Sequence, residues 1–269
     1  MERVPADQQT PVTVSDVVAA LRALQLPASA IVLVHASLSR IGWVAGGAQA
    51  IIEGLEQAIG SRGTLVMPAH SAHLTEPSRW RAPPVPEAWW PAIRNEMPPF
   101  HPDLTPTRQM GVIAETMRGQ AGALRSNHPH GSFAARGPAA AVITAGHPPG
   151  CMFGERSPLA RLYEHDAWVL LIGVDHGNNT SLHLAESRAG FPGKRYHLEG
   201  APMLVEGRRQ WCTFEELAVD DADFARLGEE YAASSGRERR TALGMATLRL
   251  VRQRDIVDYA VPWLERHRT

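Results

Sequence analysis

The chain has only two cysteines in 269 residues, Cys151 and Cys212, and they lie far apart. Such a pair is no disulfide framework, and a reduced, cytoplasmic setting fits it best. Both read as small, partly buried thiols rather than as nucleophiles. Long hydrophobic runs are missing too. No stretch of about 18 apolar residues occurs, so no membrane-spanning helix is expected. The opening residues, Met1 to Thr10, are polar and lack the apolar core of a secretory signal. Charge of either sign is not in excess: 27 Lys and Arg face 28 Asp and Glu, for a net charge of -1. With no long basic run, nucleic acid is a poor fit as partner. The short cluster Arg237, Arg239 and Arg240 reads as a solvated turn face. Two hydrolase signatures are absent as well, H-E-x-x-H and G-x-S-x-G.

What is present suits one compact domain over residues 1–269. Hydrophobic residues make up 44% of the chain and charged ones 20%, and a core of that size needs neither disulfide nor metal. Thr13-Val14-Ser15-Asp16 offers an N-cap ahead of an apolar-periodic helix. Ile31-Val32-Leu33-Val34, Thr64-Leu65-Val66-Met67 and Trp168 to Val174 are short, wholly apolar and rich in β-branched residues. That is how strands buried on both faces read. Helices are expected over Ala48 to Ile59, Met110 to Arg118, Thr180 to Arg188, Asp221 to Tyr231 and Ala246 to Ala260, with a loop over Ser37 to Gly47. Strands alternating with helices imply an α/β class, specifically a single α/β/α-type domain with a central mixed or mostly parallel sheet. Residues 74–106 stand apart, because they are dense in proline and hold Trp80, Trp89 and Trp90. Little regular structure is expected there. The tryptophans argue for a lid or substrate wall rather than disorder.

The most informative window is LLIGVDHGNNTSLHLAE, Leu170 to Glu186. A buried strand runs into a polar loop, and the loop into a helix. Ligands of open α/β sheets bind beyond the carboxyl ends of strands, which places His176, Asn179, Thr180 and His183 where chemistry is done. If Thr180 or Ser181 caps the helix, His183 falls in its first turn. The positive end of the helix dipole disfavours imidazolium there, and a neutral imidazole can act as general base. Glu186, three residues on, shares that helix face and can orient the ring. Read without context, His183 is equally a helix-start histidine bonded to backbone.

The segment GVDHGNNTSLHLAE resembles the signature block of the aminoglycoside 3-N-acetyltransferases, which are not GNAT-type acetyltransferases. VHASLSRIGWVAGG (Val34 to Gly47), GTLVMP (Gly63 to Pro68), PTRQMGVIAETMR (Pro106 to Arg118), LRSNHPHGSFAARG (Leu124 to Gly137) and SPLARLYE (Ser157 to Glu164) are similar to that family as well, in family order. Together they cover roughly residues 12 to 200. The resemblance implies transfer of an acetyl group from acetyl-CoA directly to the 3-amino group of an aminoglycoside, with His183 as base and no metal. It implies a CoA site framed by His35, Ser37, Leu38, Ser39, Thr107, Arg108, Gly111, Ser132 and Phe133. On the acceptor side it points to Asn179, Thr180 and, across poorly matched sequence, Glu215. Family members carry acids after the GTLVMP strand, whereas here Glu76 is the one acid between Ala69 and Pro77. The run FEELAVDDADFARLGEE, Phe214 to Glu230, is otherwise a solvated acidic face. The expected partner is a cationic small molecule, bound by a monomer or a homodimer.

Four rival readings compete. His176, His183 and Glu186, with His128 and His130, would suit a metal-dependent hydrolase, but zinc catalysis needs three ligands of fixed geometry. Ser37 or Ser39 with His183 would suit a serine hydrolase. A CoA-binding protein without turnover is the non-enzyme reading. Within the family, the acceptor would be a natural-product amine that is not an antibiotic.

Overall fold

The computed structural model describes residues 4–5 and 8–269. In chain order the elements are α1 (Val14–Ala23), β1 (Ile31–Ala36), α2 (Leu38–Ile41), α3 (Gly47–Ile59), β2 (Thr64–Pro68), α4 (Trp90–Glu96), α5 (Gly111–Arg118), β3 (Leu124–Arg125), β4 (Phe133–Arg136), α6 (Ala140–Thr144), α7 (Pro158–Glu164), β5 (Trp168–Ile172), α8 (Ser181–Arg188), β6 (Tyr196–Val205), β7 (Arg208–Leu217), α9 (Phe224–Ser235), β8 (Arg239–Leu243), β9 (Ala246–Arg252) and α10 (Gln253–His267).

Seven strands form one sheet in the order β3-β4-β2-β1-β5-β9-β8. The centre is parallel, with β1 pairing β2 and β5. The flanks are antiparallel, β2 to β4 and β3 on one side and β5 to β9 and β8 on the other. The sheet is therefore mixed. Period-2 alternation along the central strands sorts their side chains into two cores. Val32, Val34, Leu65, Met67, Leu170 and Ile172 pack with Leu21, Ile51, Ile52, Leu55, Ile113 and Met117 from α1, α3 and α5. Leu33, Val66, Val169 and Leu171 pack on the other face with Ile143, Leu159, Leu182, Phe224, Ile256 and Trp263 from α6 to α10. The outcome is the expected α/β/α sandwich. Wholly apolar strands were the signal for it, because both faces of each are covered.

Local rules explain several boundaries. Thr13 caps α1 in a capping box, its hydroxyl taking the Asp16 N–H while Asp16 takes that of Thr13. The apolar-periodic run Ala48 to Ile59 is α3, ended by Gly60 at φ 70. Val142-Ile143-Thr144 closes α6, whose first turn begins at Ala140.

Four expectations are corrected. The helix expected over Ala246 to Ala260 begins only at Gln253. Residues Ala246–Arg252 are a strand instead, because their buried side chains alternate and their backbone pairs with β5. Arg237, Arg239 and Arg240 are exposed to solvent as expected, but not as a simple turn. They lead into and begin β8, where Arg237 pairs with Asp255, Arg240 with Glu229 and Glu238, and Arg239 donates to the Leu24 and Gln25 carbonyls. The loop Ser37 to Gly47 holds the single turn α2. The Pro/Trp-rich stretch is an irregular wall with short 3-10 turns, but Pro91 at the start of a helix lets Trp90–Glu96 form α4.

A separate hairpin, β6–β7, leaves the sandwich. The Pro/Trp-rich wall is tied to it. Phe100 N–H donates to the Pro202 carbonyl at 2.8 Å, and Arg209 Nε to the Met97 carbonyl at 2.9 Å. Wall and hairpin together cover one end of the sheet.

Gly228 in α9 lies against the wholly buried His176. A Cβ there would come within 2.2 Å of His176 Cγ. Gly228→Ala is expected to lower stability by about 1–3 kcal/mol through overpacking, against the ~1 kcal/mol that alanine gains in a helix interior. Urea denaturation checks this; an unchanged or higher midpoint would mean that α9 yields.

Candidate active site

A cavity of about 910 Å³ opens beyond the carboxyl ends of the parallel strands β1, β2 and β5. That is where a doubly covered α/β sheet leaves room. It is at the upper end of the usual size for small-molecule sites. His35, Ser37, Leu38 and Ser39 enter from the end of β1, and Pro68 and His70 from β2. Asn178, Asn179, Thr180 and His183 enter from the β5–α8 connection, and Glu199 and Glu216 from the hairpin.

His183 is the most strongly organised of these side chains. Its Nδ1 lies 2.8 Å from Glu186 Oε2. An ionised carboxylate only accepts, so this contact holds the ring as the Nδ1–H tautomer and leaves the Nε2 lone pair on the far side. Phe153 stacks on the ring at 4.8 Å and 9°, and Phe224 leans on it at 4.8 Å and 57°. Glu186 is 1% exposed. Its other oxygen accepts from Arg268 Nη1 at 2.5 Å and from the Asp220 N–H at 2.9 Å. Arg268 is clasped in turn by Asp223. Burial works against the guanidinium, but Asp223 and Glu186 outweigh it and raise its pKa above the ordinary arginine value.

The start of α8 is held differently from expectation. Thr180 is the boundary residue but makes no side-chain cap. Asn179 provides it, its Oδ1 accepting the Ser181 N–H at 3.1 Å. Asn179 Nδ2 lies 3.2 Å from His176 Nδ1, and His176 Nε2 lies 2.6 Å from Glu238. Thr180 Oγ1 lies 3.3 Å from His35 Nε2. Burial, with the charges His176 and His183 can carry, pushes His35 down to about 3, so it is uncharged.

The hairpin supplies two buried acids with different surroundings. Glu199 takes Arg79 at 2.9 Å, His197 at 3.0 Å and the Glu76 N–H at 3.3 Å. Glu216 takes His128 Nε2 at 2.7 Å and the N–H groups of Gly150 and Met152 at 2.9 and 3.1 Å. His128 Nδ1 accepts from the His130 and Gly131 N–H groups. It therefore carries its proton on Nε2 and is neutral, in keeping with the burial that pushes it down to about 3. Glu216 is thus satisfied by three neutral donors. Burial pushes its carboxyl up, and the two backbone donors pull it part of the way back.

Several expected residues sit elsewhere. Gly111 lines the cavity, at φ 80 with a Cβ position 3.7 Å from the Ala36 carbonyl. Arg108 is exposed beside it, anchored by its backbone to the His70 carbonyl. Thr107 donates its N–H to Glu115 and does not line the cavity. Ser132 and Phe133 form the layer behind the wall. Ser132 binds the Ala69 carbonyl and Arg125, and Phe133 packs edge-on against His70 at 5.3 Å. Glu76 is turned to a two-point ion pair with Arg94, at 2.5 and 3.1 Å. Glu215 is exposed, because strand alternation turns it outward and its neighbour Glu216 inward. The acidic run is not simply a solvated face either, since Asp223 and Glu229 are spent on Arg268 and Arg249.

Of the rival readings, the metal one divides: His176 is held by Glu238 and His183 by Glu186. Ser37 and Ser39 hydrogen-bond each other, at 3.2 Å, rather than His183. Sequence reasoning missed Arg79, His70, His130, Phe153, Glu199 and Glu216 as wall residues. Only Glu216 had a usable signal, the inward phase of β7.

An α/β enzyme with a carboxylate-braced histidine at the wall of a large cavity is the class these features define. Comparison with known proteins narrows it. The family described as Aminoglycoside 3-N-acetyltransferase matches residues 33–265. The chain is 40% identical over 264 residues to the SPbeta prophage-derived aminoglycoside N(3')-acetyltransferase-like protein YokD of Bacillus subtilis, covering 98% of this chain and 96% of that one. It is 37% identical to aminoglycoside N(3)-acetyltransferase VII of Streptomyces paromomycinus, covering 95% and 92%. Among solved structures, AAC-IIIb, binary with CoASH, superposes with a TM-score of 0.85 at 34% identity, covering 96% and 97%. AAC-VIa bound to sisomicin gives 0.86 at 32%, covering 97% and 100%. The chain belongs to the aminoglycoside 3-N-acetyltransferase family and is an acyltransferase.

Burial, the largest cause throughout, depresses His35, His128 and His130 to about 3 from the ordinary 6.5, and His70 and His147 well below it. Such groups stay neutral in the fold but take a proton when unfolded. Their contribution is complete above pH 6.5 and is lost as pH falls toward 3. Each adds a slope of about 1.4 kcal/mol per pH unit below 6.5. The thermal midpoint is expected to be flat above neutrality and to fall steeply below about pH 6; a flat profile down to pH 4 would contradict it.

Proposed function

We propose that the protein transfers the acetyl group of acetyl-CoA to the 3-amino group of an aminoglycoside, on its 2-deoxystreptamine ring, and so confers resistance. The observation that carries this reading is the His183–Glu186 contact at 2.8 Å, set at the wall of the cavity. It is supported by relatives of closely similar fold, one holding CoASH and one holding sisomicin.

The chemistry follows from the tautomer. His183 Nε2 takes a proton from the acceptor amine as its nitrogen attacks the thioester carbonyl carbon. The carbon–sulfur bond then breaks, and the imidazolium returns its proton to the departing thiolate. The products are an acetamide and free CoA, with no acyl-enzyme between them. Glu186 fixes the ring and offsets the imidazolium charge while it exists. Arg268 and the Asp220 N–H hold Glu186 in place.

The two ends of the cavity divide the substrates by polarity. Ser37, Leu38, Ser39 and Gly111 offer the side for the pantetheine arm, with Arg108 outside for an anionic group. Glu216, with no cationic partner among the described residues, offers a counter-charge for an ammonium of the acceptor. Asn179 caps α8 from the cavity wall, and Thr180 stands beside it.

His183→Ala is expected to lower kcat by about 10²–10⁴-fold, with CoA affinity nearly unchanged. Acetyl-CoA turnover against aminoglycosides with and without a free 3-amino group measures it; near-normal kcat would move the base elsewhere. Glu186→Gln is expected to lose less than His183→Ala, since its amide can still hold the ring. Equal losses in steady-state kinetics would mean that the two act as one unit.

A further inference from the structure

The acids around the acceptor end of the cavity are not equally available to a ligand. Glu199 has side-chain exposure of 9%, and both its oxygens are occupied. Oε1 is 2.9 Å from Arg79 Nε and 3.0 Å from His197 Nε2, and Oε2 takes the Glu76 N–H at 3.3 Å. Glu76 is engaged in the same way by Arg94. Arg79 and Arg94 both come from the Pro/Trp-rich wall, and Arg79 itself lines the cavity. Its side chain is 44% exposed, so the guanidinium stands between Glu199 and the open space. The imidazoles nearby do not restore negative potential. His70 and His130 are kept neutral, chiefly by burial, and neither Nε2 has a hydrogen-bond partner among the described residues. They bring no charge to the wall. Among the described residues, Glu216 is then the one buried acid of this wall that meets no cation.

We infer that Arg79 is a specificity-determining residue that occupies the place of a substrate ammonium on Glu199, so that the site selects amine acceptors of low positive charge over highly charged ones. The inference rests on the acceptor reading given above. An additional ammonium on the ligand would meet the Arg79 guanidinium instead of a carboxylate. A fixed like charge inside a partly desolvated cavity discriminates more strongly than a missing attraction does.

The test is the ratio of kcat/KM for sisomicin to that for 2-deoxystreptamine, which lacks the sugar-borne amines, in four proteins. Arg79→Gln uncovers Glu199 and is expected to raise the ratio about tenfold, through KM for sisomicin. Arg79→Lys keeps the charge and the wild-type ratio. Glu199→Gln leaves Arg79 without its counter-ion and is expected to lower the ratio. The double variant is expected to fall between the singles. Calorimetric binding of sisomicin to the same proteins reads the same order without turnover. An unchanged or lower sisomicin ratio in Arg79→Gln, or a rise in Glu199→Gln, would overturn the inference while leaving acetyl transfer intact. Absence of acetylated product from every acceptor with the wild-type protein would overturn the proposed function itself, and this inference with it. Loss of the circular-dichroism melting transition in Arg79→Gln would assign the residue a folding role, and would overturn the inference if Arg79→Lys lost it too.

Discussion

Glu186 holds the functional end of this molecule together. It is a buried carboxylate with every neighbour drawn from a different part of the chain: His183 from its own helix, the Asp220 N–H from the β7–α9 connection, and Arg268 from beyond α10. A buried carboxylate is tolerated only when such partners are all present. The pair therefore requires the α8–α9–α10 layer to be fully docked. Removing Arg268 would leave the acid undersatisfied, and its contact with His183 would then have to compete with water.

The parallel strands set the position of the site and the antiparallel flanks set its limits. β1, β2 and β5 run the same way, so their carboxyl ends open into one space, and the residues that follow each strand reach it. The wall and the β6–β7 hairpin close that space from outside the sandwich. The His183 side of the cavity is thus built on regular, buried elements, while its outer wall is built on a hairpin and an irregular proline-rich segment. Precision and adaptability are separated in the architecture.

The sandwich was legible in the sequence because fully apolar strands and amphipathic helices obey short-range periodicities. The same holds for the window Leu170 to Glu186, where strand, loop and helix lie within one local stretch. What was not legible depends on contacts distant in sequence. Nothing local shows that Arg268 lies on Glu186, or that Arg79 lies on Glu199, 120 residues away. The Ala246–Arg252 strand was read as helix because the apolar residues of β9 run straight into those of α10, and only pairing with β5 separates them. Glu215, reached across poorly matched sequence, is turned outward and Glu216 inward, since in a strand a shift of one residue reverses the face.

Phe153 links the two halves of the site mechanically. Its ring lies flat on His183, and it sits one residue beyond Met152, whose N–H is bound by Glu216. The carboxylate thus moors the loop whose aromatic ring restricts how far the imidazole can turn. Any slackening of that mooring would be transmitted as freedom of rotation in the ring. Damage to this loop would then present as a misdirected imidazole at His183.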